Sequence, residues 1–392
     1  MGYNKGGMKR VTVKSGFKYR IYPTKEQEEK LAVQFGIVRF AYNKILAYRK
    51  KGYQQFGRSL THNQSVTFLA RLKRMEKYAW MKEADSQALQ QAIIDLKRAF
   101  ENFFAGQANY PQFKSKYHKQ SYRYPQRFKV EGNKIYLPKV GWVRIVLHRD
   151  IKGKMSSCTV SRTKTGKYFV SILCEHEREQ KPTNAHIGID VGLSHFATLS
   201  TGEKIGNPRH LRQTERRLKI RQRRLSRKQK GSNNRNRARQ RVALAHEKIA
   251  NQRRDFHHKV SRYLVDNYHH IAFEDLNIKG MIKNPKLAKS VSDAGWSQFI
   301  QFCDYKQRWN GGAILKVDRF YPSSKTCHLC GAINHHLALN DRAWLCPSCN
   351  QLLDRDVNAA INIANEATQG YRESHACGDM IGVQSTVYHG FS

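Results

Sequence analysis

Gly188-Ile189-Asp190-Val191-Gly192, preceded by His186-Ile187 and followed by Phe196-Ala197-Thr198-Leu199-Ser200, reads as strand, glycine turn and strand, with one carboxylate at the end of the first strand. Gly202 then turns the chain into a third expected strand, Glu203 to Ile205. An apolar strand that delivers a single acid to its tip holds that acid rigidly, so the hairpin starts an α/β sheet and offers a first candidate site residue.

Two more acids stand in similar settings. Ile271-Ala272-Phe273 is a short apolar strand ending in Glu274, and Asp354-Arg355-Asp356-Val357-Asn358-Ala359-Ala360 opens a helical pattern at Asp356. Each has a plain alternative. Asp190 before a glycine suits a turn, Glu274 could cap the next element, and either Asp354 or Asp356 could serve as a helix N-cap. Taken together, the three look like the carboxylate set of a metal-dependent nuclease of the RNase H/RuvC type, whose sheets begin with such a hairpin. In that chemistry carboxylates clamp two divalent cations roughly 3.5–4 Å apart. The same Asp-x-Gly hairpin also opens the ATPase domains of the actin and sugar-kinase superfamily, but no glycine-rich second phosphate loop follows in the right place.

Cys327-His328-Leu329-Cys330 and Cys346-Pro347-Ser348-Cys349 are two CxxC knuckles fifteen residues apart, within the spacing of a four-cysteine zinc ribbon. Four thiolates fill a tetrahedral shell and leave no open position, so one structural Zn2+ is expected. Cys158, Cys174, Cys303 and Cys377 are scattered and read as reduced thiols.

The 392 residues carry 71 Lys and Arg against 30 Asp and Glu, a formal charge of +41, which would draw any polyanion and makes nucleic acid the expected partner. Residues 209–241 concentrate fifteen of these cations with one acid, Glu215, in two helical runs broken at Gly231-Ser232-Asn233-Asn234. Arg216, Arg217, Arg221, Arg223, Arg224 and Arg227 suit bidentate contacts to phosphates, although a charge run is also what a solvated face looks like. Tyr110, Phe113, Tyr117, Tyr122 and Tyr124, interleaved with Lys114, Lys116, Lys119 and Arg123, suit base stacking or core packing equally. No apolar run of membrane-spanning length occurs, and the N-terminus lacks the apolar core of a signal peptide, so a cytoplasmic protein without a membrane partner is expected.

Residues 9–22 alternate as a strand up to Pro23. Thr24 with Gln27 makes a capping box, and helical spacing follows through Leu31, Phe35, Val38, Tyr42 and Ile45 and again through about 86–104. Short strands are expected from 133 to 175.

Tyr19-Arg20-Ile21-Tyr22-Pro23-Thr24, Gly188-Ile189-Asp190-Val191-Gly192, Phe273-Glu274-Asp275-Leu276-Asn277, Arg319-Phe320-Tyr321-Pro322-Ser323-Ser324-Lys325-Thr326-Cys327 and Asp354-Arg355-Asp356-Val357-Asn358-Ala359-Ala360 resemble the signatures of TnpB. These are insertion-sequence-encoded nucleases related to the type V CRISPR effectors. The resemblance runs from about residue 15 to 370. It implies an RNA-guided DNA endonuclease, with a guide RNA derived from the transposon end pairing to double-stranded target DNA while the protein reads a short adjacent motif. It implies a multidomain α/β fold: a β-barrel-like, wedge-like nucleic-acid-binding domain at 1–22 and 125–180 carrying a helical recognition insert at 23–124. An RNase H-like RuvC core at 181–320 and 352–370 would hold an inserted zinc ribbon at 321–351, ahead of a mobile tail at 371–392. Asp190, Glu274 and Asp356 would hold two Mg2+ ions. Two other readings are a nuclease-inactive RNA-guided DNA-binding regulator and a guide-independent DDE-type transposase; the intact carboxylate set speaks against the first, the ribbon's placement against the second. The oligomeric state is open.

Overall fold

The computed structural model describes residues 10–117, 119–180, 185–338 and 340–376, and the chain divides into two compact units, one spanning Thr12–Glu177 and one beginning at Arg178. In the first, β1 (Arg10–Tyr22) buries every second residue from Val13 to Ile21, the period-2 signature of a strand with one face on a core. Helix α1 (Lys25–Phe56) starts at the expected capping box, where Gln27 N donates to Thr24 Oγ1 at 3.3 Å and Thr24 N donates to Gln27 Oε1 at 3.1 Å. It stops at Gly57, whose φ of 62° lies in the left-handed region that glycine tolerates. Helices α2 (His62–Arg74) and α3 (Ser86–Phe104) follow, and α3 buries Leu89, Ile93, Leu96 and Phe100 on one stripe.

Strands β2 (Gln120–Tyr124), β3 (Lys129–Glu131), β4 (Lys134–Leu137), β5 (Gly141–Val146), β6 (Lys154–Arg162) and β7 (Tyr168–Glu179) join β1 in a seven-stranded sheet of order β2-β6-β7-β1-β5-β4-β3. The helical segment is therefore shorter than 23–124. Tyr122 and Tyr124 alternate inward on β2 and pair along β6, because burying two rings in the core outweighs exposing them for stacking. Of the interleaved aromatics, only Tyr110, Phe113 and Tyr117 stay exposed. Among the described residues no pairing joins β2 to β3, so the sheet has two edges.

In the second unit, β8 (His186–Asp190), β9 (His195–Leu199) and β10 (Lys204–Gly206) form the expected meander. Helices α4 (His210–Ser226) and α5 (Asn233–Asn267) lead into β11 (His270–Glu274). Helices α6 (Ile278–Lys283), α7 (Pro285–Ala294) and α8 (Trp296–Asn310) precede β12 (Ala313–Val317). The sheet order is β10-β9-β8-β11-β12, with β8, β11 and β12 mutually parallel and the other pairings antiparallel. Ile187, Ile189, Ile271 and Phe273 face α5 and α8, where Leu264, Trp296 and Phe299 complete a core.

Strands β13 (Ala343–Leu345) and β14 (Leu352–Asp354) pair as a hairpin across the knuckles, and β14 runs straight into α9 (Arg355–Ala376). The ribbon's second strand thus reaches Asp354, beyond the expected boundary at 351. Helix α9 covers the other face of the sheet, with Ile363 and Ala367 on Ala272 and Val317. It continues through Ala376 into the segment read as a tail; the rest of 371–392 and Cys377 lie outside the described residues. Cys158, Cys174 and Cys303 are buried free thiols, as expected. No described helix is long and apolar enough to cross a membrane.

Candidate metal centre and nucleic-acid interface

The alternation of β8 and β11 decides where their acids point. Ile189 pairs with Phe273 and both face α5 and α8, so the next residues, Asp190 and Glu274, turn to the opposite face and sit side by side at the strand tips. Helix α9 can lie on that face because residue 188 is glycine. A Cβ there would overlap the Ala360 carbonyl oxygen and come within 2.5 Å of Ala364 N and 2.9 Å of Ala364 Cβ. This close approach brings Asp356, in the first turn of α9, to the other two carboxylates.

Asp190, Glu274 and Asp356 line one cavity of about 220 Å³ together with Ser323, Ser324, Arg342, Arg355 and Ala359. Burial, reinforced by the negative charges of Asp356 and Glu274, pushes Asp190 up to about 7, with only Arg355 pulling the other way. Burial also raises Glu274. Arg342 approaches Asp356 at 3.8 Å and donates to Ser194 Oγ at 3.2 Å. The acids beside these three are treated differently. Asp275 is bound by Lys316 at 3.0 Å and Arg319 at 2.6 Å, and those hydrogen bonds lower it. Burial pushes Asp354 up, but Lys204 at 2.6 Å and the backbone N–H groups of Val357 and Asp356 outweigh it. The fold neutralises Asp275 and Asp354 and leaves like charges crowded at the cavity, which is an arrangement that favours cations.

The four expected cysteines meet. Cys327 Sγ and Cys349 Sγ are 3.7 Å apart, Cys330 Sγ and Cys346 Sγ 3.5 Å, and all four sulfurs lie within 4.8 Å of one another. A tetrahedron with Zn–S bonds of about 2.3 Å has S–S edges of about 3.8 Å, so the cluster can bind zinc. Backbone N–H groups of Cys349 and Ser348 point at Cys346 and pull its thiol down, while burial and the neighbouring thiols push Cys349 up. The three carboxylates are spread more widely: among the described residues, the cysteine set is the group of three or more such ligands whose atoms converge within 4.8 Å.

Arg216, Arg217, Arg221, Arg223 and Arg224 are exposed on α4, and Arg227 caps its end. The α4 and α5 hairpin is held by a thin seam of Leu218, Val242 and Ile249, so the arginines are carried on an ordered element. The structure gives Arg221 a bond to the Arg241 carbonyl at 3.4 Å.

Sequence reading missed several residues that build the site. Ser323, Ser324 and Arg355 lay inside quoted motifs without a role. Arg342 carries no local signal. Asn358 stands inside the Asp354–Ala360 motif without a role, and Asn362 follows it by four residues, a spacing that puts both amides on one side of the helix.

A sheet of mixed direction with helices on both faces, a tip cluster of acids and a four-cysteine ribbon place the protein in an α/β class with the Cas12f1-like fold. A cryo-EM structure of a Cas12f1–sgRNA–target DNA complex aligns over 90% of this chain and 99% of its own, with a TM-score of 0.55 and 14% identity. A family described as "Probable transposase" matches residues 169–285, a "Cas12f1-like, TNB domain" matches 296–363, and a "Helix-turn-helix domain" matches 8–58, where the described residues form β1 and α1. A Streptomyces pristinaespiralis protein named as a candidate RNA-guided DNA endonuclease is 42% identical over 94% of this chain and 92% of its own length. InsQ of Escherichia coli, named in the same way, is 32% identical over 95% and 96%. The chain belongs to the TnpB family.

Proposed function

We propose that this protein is an RNA-guided DNA endonuclease of a transposable element, cutting double-stranded target DNA at a RuvC-type centre formed by Asp190, Glu274 and Asp356. The observation that carries the chemistry is the single cavity in which these three carboxylates meet Arg342 and Arg355. The strand order β10-β9-β8-β11-β12, with a helix on each face, supports the RNase H-like reading of this core. The barrel-like character of the N-terminal sheet rests on the family resemblance.

The donor set fits Mg2+, a hard cation that takes carboxylate oxygens. When bound, two such ions supply an activated water and a stabilised leaving oxygen. The chain's own residues do the rest. Asp190 must give up a proton near pH 7 to become a ligand. Arg342 and Arg355 offer guanidinium groups at the rim, where a phosphodiester would be held, and the hydroxyls of Ser323 and Ser324 can donate to it. The cysteine cluster would hold one structural Zn2+. The α4 arginines would run along a phosphate backbone.

The guide dependence rests on the relatives' names and the family. Purifying the protein without nuclease treatment and sequencing the nucleic acid that accompanies it tests this: a single structured RNA is expected, and a random mixture would overturn it. The regulator reading predicts a lost carboxylate, and all three are present.

A further inference from the structure

The ribbon is tied to the carboxylate helix by two buried amides, Asn358 and Asn362, and by the Arg355 guanidinium, which donates to Ala338 O at 3.0 Å. Asn358, 1% exposed and two residues after Asp356 on α9, uses its whole side chain on the ribbon side. Its Oδ1 accepts from His328 N at 3.0 Å and stands 2.9 Å from His328 Nδ1; its Nδ2 donates to Thr326 O at 2.7 Å and Ser323 O at 3.3 Å. An amide oxygen only accepts, so His328 Nδ1 carries the proton in this contact. One turn on, Asn362 Nδ2 donates to the same two carbonyls, at 2.6 Å to Thr326 and 2.8 Å to Ser323.

Both ends of this bridge matter. His328 lies inside the first knuckle, between Cys327 and Cys330, and Thr326 adjoins Cys327. Ser323 lines the carboxylate cavity. The rotation and height of the first turn of α9, which carries Asp356, are thus referenced to the cysteine cluster and to the Ser323–Thr326 loop. Asp354 fixes the same turn from below, but only at its capping N–H groups.

We propose that Asn358 is a positioning residue through which the cysteine ribbon sets the place of Asp356 at the metal centre. This rests on the reading of the three carboxylates as metal ligands. The ribbon is then more than a stabilising staple: it is a reference point for one ligand, and loosening the bridge frees that ligand without removing it. Groups bonded directly to a ligand typically change metal affinity by about 10–100-fold when removed, and Asn358, which acts on Asp356 through the helix turn and not by a bond, belongs at the low end of that range.

The test uses the zinc-loaded full-length chain, with Mn2+ as the probe, and reads Mn2+ binding by electron paramagnetic resonance alongside zinc content and thermal midpoint. Wild type should bind Mn2+ in a manner abolished by Asp190→Asn; if it does not, the carboxylate reading itself fails, and the proposal with it. Asn358→Ala should weaken that binding by about tenfold or more while holding one zinc per chain. Unchanged Mn2+ affinity in a zinc-loaded, folded Asn358→Ala overturns the proposal and leaves the carboxylate reading standing. Should Asn358→Ala lose zinc or fail to fold, Asn358→Ser decides, since its hydroxyl keeps a polar group at the buried position but is too short to hold His328 and the two carbonyls together. Affinity within about twofold of wild type there overturns the proposal, and a larger loss with zinc retained supports it.

Discussion

Asp354 caps the helix on which Asp356 stands: its Oδ1 accepts the backbone N–H of Asp356 at 3.1 Å and that of Val357 at 3.0 Å, while its other oxygen binds Lys204 at 2.6 Å. Two aspartates separated by one residue therefore have different work. Asp356→Asn should abolish cleavage and leave target binding within a few-fold. Asp354→Ala should keep measurable cleavage and lower stability by about 0.5–2 kcal/mol, the usual value of an N-cap. Cleavage assays and denaturant melts on the two variants check this; an inactive Asp354→Ala with an active Asp356→Asn would reverse the assignment.

The pH dependence follows from Asp190. Its folded-state pKa, raised to about 7 from an ordinary 3.8, means that the folded protein without divalent cations holds a proton that the unfolded chain releases. Stability of that form should fall as pH rises from about 4 through 7. Saturating Mg2+ should remove the trend, because binding displaces the proton, and half-maximal cleavage should need less Mg2+ at pH 8 than at pH 6. Asp190→Asn should flatten the stability profile while eliminating cleavage. Thermal melts at a series of pH values, with zinc retained, read both.

Gly188→Ala places a methyl group against the backbone of Ala360 and Ala364 rather than against a movable side-chain end. The helix must retreat from β8, so a loss on the order of 3 kcal/mol is expected, together with impaired cleavage as Asp356 is drawn away from Asp190. An unchanged melting temperature would show that α9 does not lie so close.

Elemental analysis should find one zinc ion per chain. Cys327→Ser or Cys349→Ser should lower both stability and activity, since binding to four thiolates is folding free energy on the order of 10 kcal/mol in model peptides. A folded, fully active, zinc-free protein would contradict this.

Replacing Arg217, Arg221 and Arg224 together should flatten the slope of log K against log[salt] by roughly two to three units on duplex DNA, at about 0.9 per phosphate contact. The loss of affinity should be similar for every target sequence. Unaltered slope and affinity would mean that the α4 arginines face solvent only.

Much of this was legible in the chain itself. The β8 to β10 meander, the strand under Glu274, the α4 and α5 pair and the four-cysteine cluster follow from local rules: period-2 alternation, helical spacing, capping boxes and CxxC geometry each act within a few residues. The motifs also pointed to the three carboxylates. What local rules could not settle was which acids are left uncompensated. Glu274 and Asp275 are neighbours, as are Asp354 and Asp356 at one remove, and composition treats each pair alike. The pairs are separated by Lys316, Arg319 and Lys204, which come from other strands and loops, so only the tertiary structure could choose. Tyr122 and Tyr124 went the same way: their alternation was too short to call a strand until β6 supplied the partner that buries them. The contact between Gly188 and α9 and the Asn358 bridge to His328 likewise join segments more than a hundred and about thirty residues apart in one case and the other. Sequence determined which groups are available for chemistry; long-range packing decided which of them are desolvated together, and desolvation is what lifts the Asp190 carboxyl out of the ordinary carboxylate range.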